Sequence, residues 1–266
     1  MEAEPLTELL SQDSFEELDK LLFCKAQSTQ LKGHKRREDM AKITWYGHAT
    51  IGIETDAFKL LIDPYFSGNP TASAAADEVE ADYILVSHGH GDHIGDTIDI
   101  AQRSGATVIS NYEIITWLGK QGLEKLHAQH LGGGFQHPFG YLKLTLALHG
   151  SQLPDGSYGG NPCGFLLTCH DGKKIYLAQD TGLFGDMSLI GEEGLALAAI
   201  PIGDNFTMGP DDALRAVKLL QPQIVVPIHY DTFGLISQDA HSWADRVKAE
   251  TKTEVVVMNP GEEFNF

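Results

Sequence analysis

The chain has 266 residues, enough for one sizeable domain with its own apolar core. Its 37 acidic and 19 basic residues give a formal net charge of −18, so we expect a surface that repels nucleic-acid phosphates and anionic membranes. No apolar run reaches the roughly 18 residues of a membrane-spanning helix. Three cysteines without a CxxC spacing, behind an acidic N-terminus that lacks a signal-peptide pattern, predict a cytoplasmic protein.

The first residues differ in pattern from the rest of the chain. Ser14 and Glu17 have the spacing of a capping box and begin an apolar stripe, which predicts a short helix over about 14–25. A polar stretch follows it, so we predict an appendage at 1–39 and one domain at 40–266. The apolar stripe could mediate formation of a homo-oligomer or cover the domain's own surface, and the sequence leaves both open.

The pattern of the domain predicts alternating strands and helices, with parallel strands. Strands are predicted at Ile43–Tyr46, Thr50–Glu54, Phe58–Ile62, Tyr83–Val86, Thr107–Ser110, Leu142–Leu148, Gly164–Cys169, Lys174–Ala178, 195–202, Ile224–Ile228 and Glu254–Met258. Helices are predicted at Ile94–Arg103, Tyr112–Lys120, Pro210–Leu220 and Ala240–Glu250. Residues 121–140 contain His127, His130 and His137 among several glycines, and these are interpreted as surface or loop histidines rather than ligands.

A histidine-rich stretch directly follows the strand at Tyr83–Val86. His88, His90, Asp92 and His93 are four potential metal ligands within six residues, separated by glycines. In an extended chain, side chains two apart point the same way, so His88 and His90 can bind one ion together. The glycines allow a turn that lets Asp92 and His93 face a second ion. Most isolated histidines are ordinary core or surface residues, but this combination indicates a site for zinc, manganese or iron.

Three further residues each come just after an apolar strand. Open α/β sheets place ligands at such strand ends, so these residues can complete the site. We therefore predict two divalent ions, zinc or manganese, with a shared ligand: His88, His90 and His149 on one ion, Asp92, His93 and His229 on the other, and Asp180 bridging both.

This ligand set predicts hydrolysis. A water between two divalent ions roughly 3.5–4 Å apart is deprotonated near neutral pH and becomes a nucleophile. No serine or cysteine nucleophile is required, and the chain has no Gly-x-Ser-x-Gly elbow. We predict that a metal-bridging hydroxide attacks a small ester, lactone or phosphoester, with Asp92 both ligand and catalytic residue. A small anionic substrate is compatible with the acidic chain because bound cations dominate the field inside a site.

The motifs from residue 40 onwards resemble those of the metallo-β-lactamase fold superfamily. Within it, the chain is similar to uncharacterised metal-dependent hydrolases related to L-ascorbate-6-phosphate lactonase. The resemblance rests on the stretch 88–93, on the three ligands that follow it, and on Trp45–Thr50, Leu61–Pro64, Asp180–Asp186, Pro201–Met208 and Pro227–Phe233. It implies a four-layer αββα sandwich of the α/β class, with the site at one edge between two sheets.

The resemblance also implies supporting residues. It places Asp63 where the family orients a ligand histidine through its second N–H, the alternative being an aspartate that only forms a turn. It places His48 at the mouth of the site, where it would bind substrate or protonate the leaving group, the alternative being a turn histidine held by backbone. Asn205 and Thr232 are the further substrate-binding candidates.

Positions at which the chain departs from the family pattern exclude some of the activities known in the superfamily. Gln179 stands where the family usually has glycine, so the turn is strained if that position needs a positive φ. Class B β-lactamases commonly have cysteine in place of Asp180, and flavodiiron oxygen reductases have a carboxylate in place of His90, so neither activity is expected. The alternatives that remain are a phosphodiesterase or nuclease, and a metal-binding sensor without catalysis on the same fold.

Overall fold

A computed structural model describes residues 41–55 and 58–266. The helix predicted over about 14–25 and the linker after it lie outside the described residues, so the division at residue 39 stays a prediction. No helix in the described part of the chain is long and apolar enough to cross a membrane.

The described strands form two sheets of seven strands each. The strands are β1 (Lys42–Gly47), β2 (Thr50–Thr55), β3 (Phe58–Ile62), β4 (Tyr83–Leu85), β5 (Thr107–Asn111), β6 (Leu126–Gln129), β7 (Gly134–His137), β8 (Gly140–Leu146), β9 (Cys163–Thr168), β10 (Lys174–Leu177), β11 (Leu197–Pro201), β12 (Ile224–Ile228), β13 (Glu254–Val255) and β14 (Glu263–Asn265). The helices are α1 (Gly91–Ile94), α2 (Thr97–Ser104), α3 (Tyr112–Lys120), α4 (Met187–Gly191), α5 (Pro210–Leu220) and α6 (Ala240–Glu250). One sheet has the order β14-β1-β2-β3-β4-β5-β6 and the other β13-β12-β11-β10-β9-β8-β7.

Each sheet is antiparallel in one half and parallel in the other. Strands β3 to β6 are parallel neighbours, as are β10 to β13. Apolar side chains from both sheets share one core, which continues into α5 and α6, and a second core lies under α2 and α3. This arrangement confirms the predicted αββα sandwich. Cys163 and Cys169 are buried in the main core, as the sequence indicated.

The predicted helix Ile94–Arg103 is wrong in its boundaries, because the chain breaks at Gly95. Gly95 has φ +27, and a Cβ on it would lie 2.3 Å from the carbonyl oxygen of Pro64. Asp96 then accepts hydrogen bonds from the backbone N–H groups of Phe66 and Ser67, at 2.8 and 2.9 Å. At this break the chain therefore packs closely against residues 64–67, the segment that follows β3.

The segment 121–140 contains β6 and β7, two strands that the sequence analysis did not predict. His137 is buried rather than on the surface, and its ring stacks on Phe139 at a centroid distance of 4.9 Å. Its Nε2 lies 3.0 Å from the amide oxygen of Gln129. Within the described residues, none of the histidines in this segment belongs to a cluster of potential metal ligands, in agreement with the prediction.

Candidate metal centre

The candidate residues follow strands that end at the same edge of the sandwich. β8 and β10 are both antiparallel to β9, so they run in the same direction. The strand ends deliver Asp63 after β3, His88 and His90 after β4, His149 after β8, Asp180 after β10, and His229 after β12. α1, which starts directly after His90, carries Asp92 and His93. The structure thus brings all seven predicted ligands together at the predicted edge.

His88, His90 and His149 form one compact group. The Nε2 of His88 lies 3.0 Å from Nδ1 of His90, and that Nδ1 lies 3.3 Å from Nε2 of His149. Burial lowers the pKa of all three rings from its ordinary value, so they favour the neutral form. A neutral imidazole has the free lone pair that a metal ion requires. The donor atoms and their charge state therefore fit a borderline divalent cation.

Asp92, His93 and His229 form the second group, and His48 adjoins it. One potential ligand atom from each of these four residues lies within 4.8 Å of the others. The sequence did not predict His48 in such a group.

Asp180 lies between the two groups. Its Oδ2 is 3.1 Å from Nε2 of His229, 3.3 Å from Nε2 of His93 and 3.5 Å from Nε2 of His149. Burial raises its pKa, but the imidazoles of His229 and His93 outweigh this and hold the pKa well below its usual range. Three atoms of the predicted ligand residues are buried without a hydrogen-bond partner in the described part of the chain: Oδ1 of Asp180, Nε2 of His93 and Nδ1 of His229. Native interiors rarely leave such atoms unpaired, and carboxylate oxygens and imidazole nitrogens are the atoms that a divalent cation accepts as ligands.

Asp63 is the buried carboxylate that holds the ligand histidines. Its Oδ1 accepts the backbone N–H of Ser87 at 2.7 Å, and its Oδ2 accepts Nδ1–H of His93 at 2.7 Å. Oδ2 also accepts the hydroxyl of Ser87 and, at 2.6 Å, the side-chain amide of Gln179. The contacts agree with the orienting role predicted for Asp63.

These bonds determine which ring nitrogens carry protons. The carboxylate of Asp63 only accepts, so Nδ1 of His93 carries a proton and Nε2 is the nitrogen that faces Asp180. The Ser87 hydroxyl donates to Asp63, so its oxygen accepts Nδ1–H of His88 at 2.8 Å. The Nε2 of His88 is then left as a lone-pair donor. Ser87 was not among the predicted site residues, although it directly precedes His88 in the sequence.

His48 is buried rather than exposed at the mouth of the site, which corrects the predicted position. Its side chain is fully covered, and its Nε2 lies 3.3 Å from Oδ2 of Asp92. Burial lowers the pKa of His48 to about 4, so the ring is neutral at pH 7. Because the Asp92 carboxylate only accepts, Nε2 carries the proton. Nδ1 then accepts from the hydroxyl of Thr232 at 2.9 Å.

The residues predicted to bind substrate do not line the cavity at the centre. A cavity of about 210 Å³ opens onto the centre, and it is lined by His90, Asp92, His149, Asp180, Phe206, His229 and Phe233. His48, Asn205 and Thr232 do not line it. Thr232 is buried against His48, whereas Asn205 is exposed next to Phe206. The sequence did not predict the two phenylalanines, although each is adjacent to a residue that it did.

The backbone at the centre is strained at several positions that deliver its side chains. His48, Asp63, Gln179 and His229 have φ values of +53, +46, +51 and +54. Non-glycine residues rarely adopt this conformation, and it persists where surrounding contacts enforce it, often at functional sites. Gln179 thus meets the condition that the sequence analysis set for strain, because its position has a positive φ. Its amide nitrogen donates to Asp63 and, at 3.2 Å, to the carbonyl oxygen of Ala49.

The two roles of Gln179 can be separated by paired substitutions. Gln179→Ala should destabilise the protein by about 1–3 kcal/mol, because Asp63 loses a donor while the strained φ remains. Gln179→Gly also removes the donor but relieves the strain, so it should be about 1 kcal/mol more stable than the alanine variant. Urea unfolding of the metal-free proteins measures both differences. Equal stability of wild type and Gln179→Ala would show that the amide is not needed.

The buried histidines make the stability of the metal-free protein dependent on pH. In the folded state the pKa values of His48, His88, His90 and His149 are lowered, whereas unfolded histidines titrate near about 6.5. Below that pH the unfolded chain binds more protons, so stability should fall between about pH 7 and 5, by about 1.4 kcal/mol per pH unit for each excess proton. The pKa of His93 is lowered by burial but raised further by Asp180 and Asp63, to well above its ordinary value. Its stabilisation therefore still grows on acidification from pH 7 to about 6.5 and is complete below that pH, so it offsets part of the loss near pH 7 and none of it further down.

Thermal unfolding of chelator-treated protein at pH 5, 6, 7 and 8 checks this expectation. His88→Gln should flatten the pH dependence below pH 7. His241→Gln changes an exposed histidine on α6 and should leave the slope as it is. A melting temperature that stays constant or rises on acidification would contradict the assignment of neutral rings.

Comparison with known proteins agrees with this geometry. A model of the beta-lactamase superfamily domain matches residues 59–230. A UPF0173 metal-dependent hydrolase of Pelotomaculum thermopropionicum is 50% identical over 230 residues, which cover 85% of this chain and 100% of that protein. Another, from Thermus thermophilus, is 46% identical over 223 residues, with 84% and 98% covered.

A solved structure with the same fold is Igni18, described as a novel metallo hydrolase from the hyperthermophilic archaeon Ignicoccus hospitalis. It has 35% sequence identity and a TM-score of 0.79, over 85% of this chain and 98% of that chain. The finer similarity to L-ascorbate-6-phosphate lactonase stays a prediction. The chain belongs to the beta-lactamase superfamily and, within it, to the UPF0173 metal-dependent hydrolases.

Proposed function

We propose that this chain uses two divalent ions, zinc or manganese, to hydrolyse a small ester, lactone or phosphoester at the edge of the sandwich. The observation that carries the proposal is the convergence of the seven candidate ligand side chains, three of which have a buried atom without a hydrogen-bond partner: Nε2 of His93, Oδ1 of Asp180 and Nδ1 of His229. Bound ions would act as Lewis acids and lower the pKa of a coordinated water to about 7.

The two groups of side chains suggest how the ligands divide. His88, His90 and His149 would hold one ion, and Asp92, His93 and His229 the other. Asp180 is within 3.5 Å of histidines from both groups, which supports a bridging position. The tautomers held by Asp63 and Ser87 keep Nε2 of His93 and of His88 directed at the centre.

We propose that Asp92 is the general acid/base, which accepts and donates protons at the substrate. Its side chain is 35% exposed and lines the cavity, unlike the covered ring of His48. Burial raises the pKa of Asp92, but the hydrogen bond from His48 outweighs this and holds it well below its usual range. Asp92 is therefore an acceptor at neutral pH. His48 and Thr232 act as positioning residues that fix the orientation of its carboxylate.

The cavity and the charge favour a small substrate over a nucleic acid. A cavity of about 210 Å³ lies below the roughly 300–1,000 Å³ that is usual for drug-sized ligands. The net charge of −18 opposes a long polyanion. A cytoplasmic location and self-association through residues 1–39 stay predictions.

Turnover by the metal-loaded protein on a lactone and ester panel and on a phosphodiester panel, side by side, tests the proposal. We expect hydrolysis of lactones or esters that Asp180→Ala loses. Phosphodiester cleavage alone, lost in the same variant, would indicate a phosphodiesterase instead. Full metal content without turnover on either panel would favour a metal-dependent sensor.

A further inference from the structure

The mouth of the metal centre combines ligand side chains with two aromatic rings. Phe206 is 52% exposed and Phe233 is 39% exposed, although both line the cavity. Within the part of the chain that the structure describes, no lysine or arginine lines this cavity. The groups beside the rings are imidazoles and the carboxylates of Asp92 and Asp180. The walls are therefore apolar or acidic.

A strained loop presents Phe206 to the cavity. Asp204 and Asn205, directly before it, have φ values of +63 and +51. The loop is closed by a bond from the N–H of Asp204 to the carbonyl oxygen of Met208, at 3.1 Å. The N–H of Met208 donates to the carbonyl oxygen of Thr181 at 3.0 Å, next to Asp180. The backbone of this loop is strained and held by hydrogen bonds, yet the ring of Phe206 remains half exposed. The ring is therefore not part of the apolar core.

A second strained loop presents Phe233. Asp231 has φ +57, and its Oδ1 accepts the N–H of Gln238 at 2.9 Å and the hydroxyl of Ser237 at 3.0 Å. The ring of Phe233 meets that of His48 edge to face, at a centroid distance of 5.7 Å. The contact connects the exposed ring to the buried residue that orients Asp92. The hydrogen-bonded loop thus positions Phe206, and the contact with His48 positions the ring of Phe233, at the cavity.

We propose that Phe206 and Phe233 form an aromatic clamp that selects a neutral carboxylic ester or lactone with a compact apolar substituent. The inference rests on the proposed hydrolytic function and narrows its substrate class. An apolar substituent between the rings would leave water and gain free energy. A carboxylate or phosphate held between the rings would lose hydration, and no lysine or arginine among the described residues lines the cavity to compensate it. The clamp therefore favours a neutral group at the position between the rings, whereas the proposed ions would act on the reacting group of the substrate.

Two metal-chelating probes of matched shape test the clamp without turnover. 5-Methylhexanohydroxamate and glutaric acid monohydroxamate differ at the end of the tail, where one has an isopropyl group and the other a carboxylate. Titration calorimetry on the metal-loaded protein should show about tenfold tighter binding of the neutral probe. Phe206→Ala and Phe233→Ala should each reduce that preference several-fold with unchanged metal content. Phe135→Ala removes a ring that is 48% exposed on β7, outside the cavity, and should not change it.

The possible outcomes distinguish failure of the proposed clamp from failure of the proposed hydrolytic function. Equal or tighter binding of the carboxylate probe overturns the clamp, as does a preference that survives both phenylalanine variants. Failure of both probes to bind overturns it as well. Absence of turnover on lactones, esters and phosphoesters in the same preparations overturns the proposed function instead, and the hydroxamate preference still decides whether the rings select neutral ligands.

Discussion

Asp180→Ala is expected to lower kcat/KM by at least about 10³-fold and to remove most of the bound metal. The carboxylate lies within 3.5 Å of Nε2 of three histidines that belong to both groups. Its loss would remove the proposed ligand and leave Nε2 of His93 and of His229 without the carboxylate that they face. Metal analysis by mass spectrometry and initial rates on the best lactone or ester measure the two effects.

Two further variants test whether the effect is specific to the carboxylate of Asp180. Asp186→Ala removes an exposed carboxylate six residues further along the same segment and should retain metal and activity. Asp180→Asn keeps the volume but removes the charge, so it should lose metal without the cavity that alanine creates. Circular dichroism verifies that each variant is folded. Full metal content and full turnover in Asp180→Ala would refute the assignment of Asp180 as a ligand.

The convergence of the seven candidate ligands could be predicted because it depends on strand ends, and strands are visible as apolar runs. Ile224–Ile228, for example, was predicted with the boundaries that the structure has, and His229 follows it directly. Strands with one direction put their carboxyl ends at one edge. Residues distant in sequence, such as His88 and His229, could therefore be assigned to one site without any knowledge of packing.

The residues that were misplaced or missed depend on loop conformation instead. His48 lies in a turn, and only its contacts with Asp92 and Thr232 show that it is buried. Phe206 and Phe233 reach the cavity because residues just before them have positive φ, which nothing in Asp204 or Asp231 demands. The short strands β6 and β7 were missed because four residues among glycines give no clear periodicity.

Asp63→Asn should weaken metal binding by about 10–100-fold, although Asp63 faces the ligands and not the cavity. Asparagine tolerates a positive φ, so the turn after β3 keeps its conformation. The amide group, however, puts N–H donors where Asp63 now accepts four hydrogen bonds. His93 would lose the acceptor that keeps its proton on Nδ1, and the tautomer with the proton on Nε2 cannot bind a metal ion.

Competition with a chromophoric chelator measures the loss of affinity, and kcat/KM at saturating metal measures how much activity returns once the site is filled. Asp82→Asn is the matched control, because Asp82 also accepts a backbone N–H, from Lys59 at 2.8 Å, at the opposite end of β3. It should retain wild-type affinity. If Asp63→Asn bound metal as tightly as Asp82→Asn, the tautomer of His93 would not depend on the carboxylate. The strain at Asp63, φ +46, would then have no role in the centre.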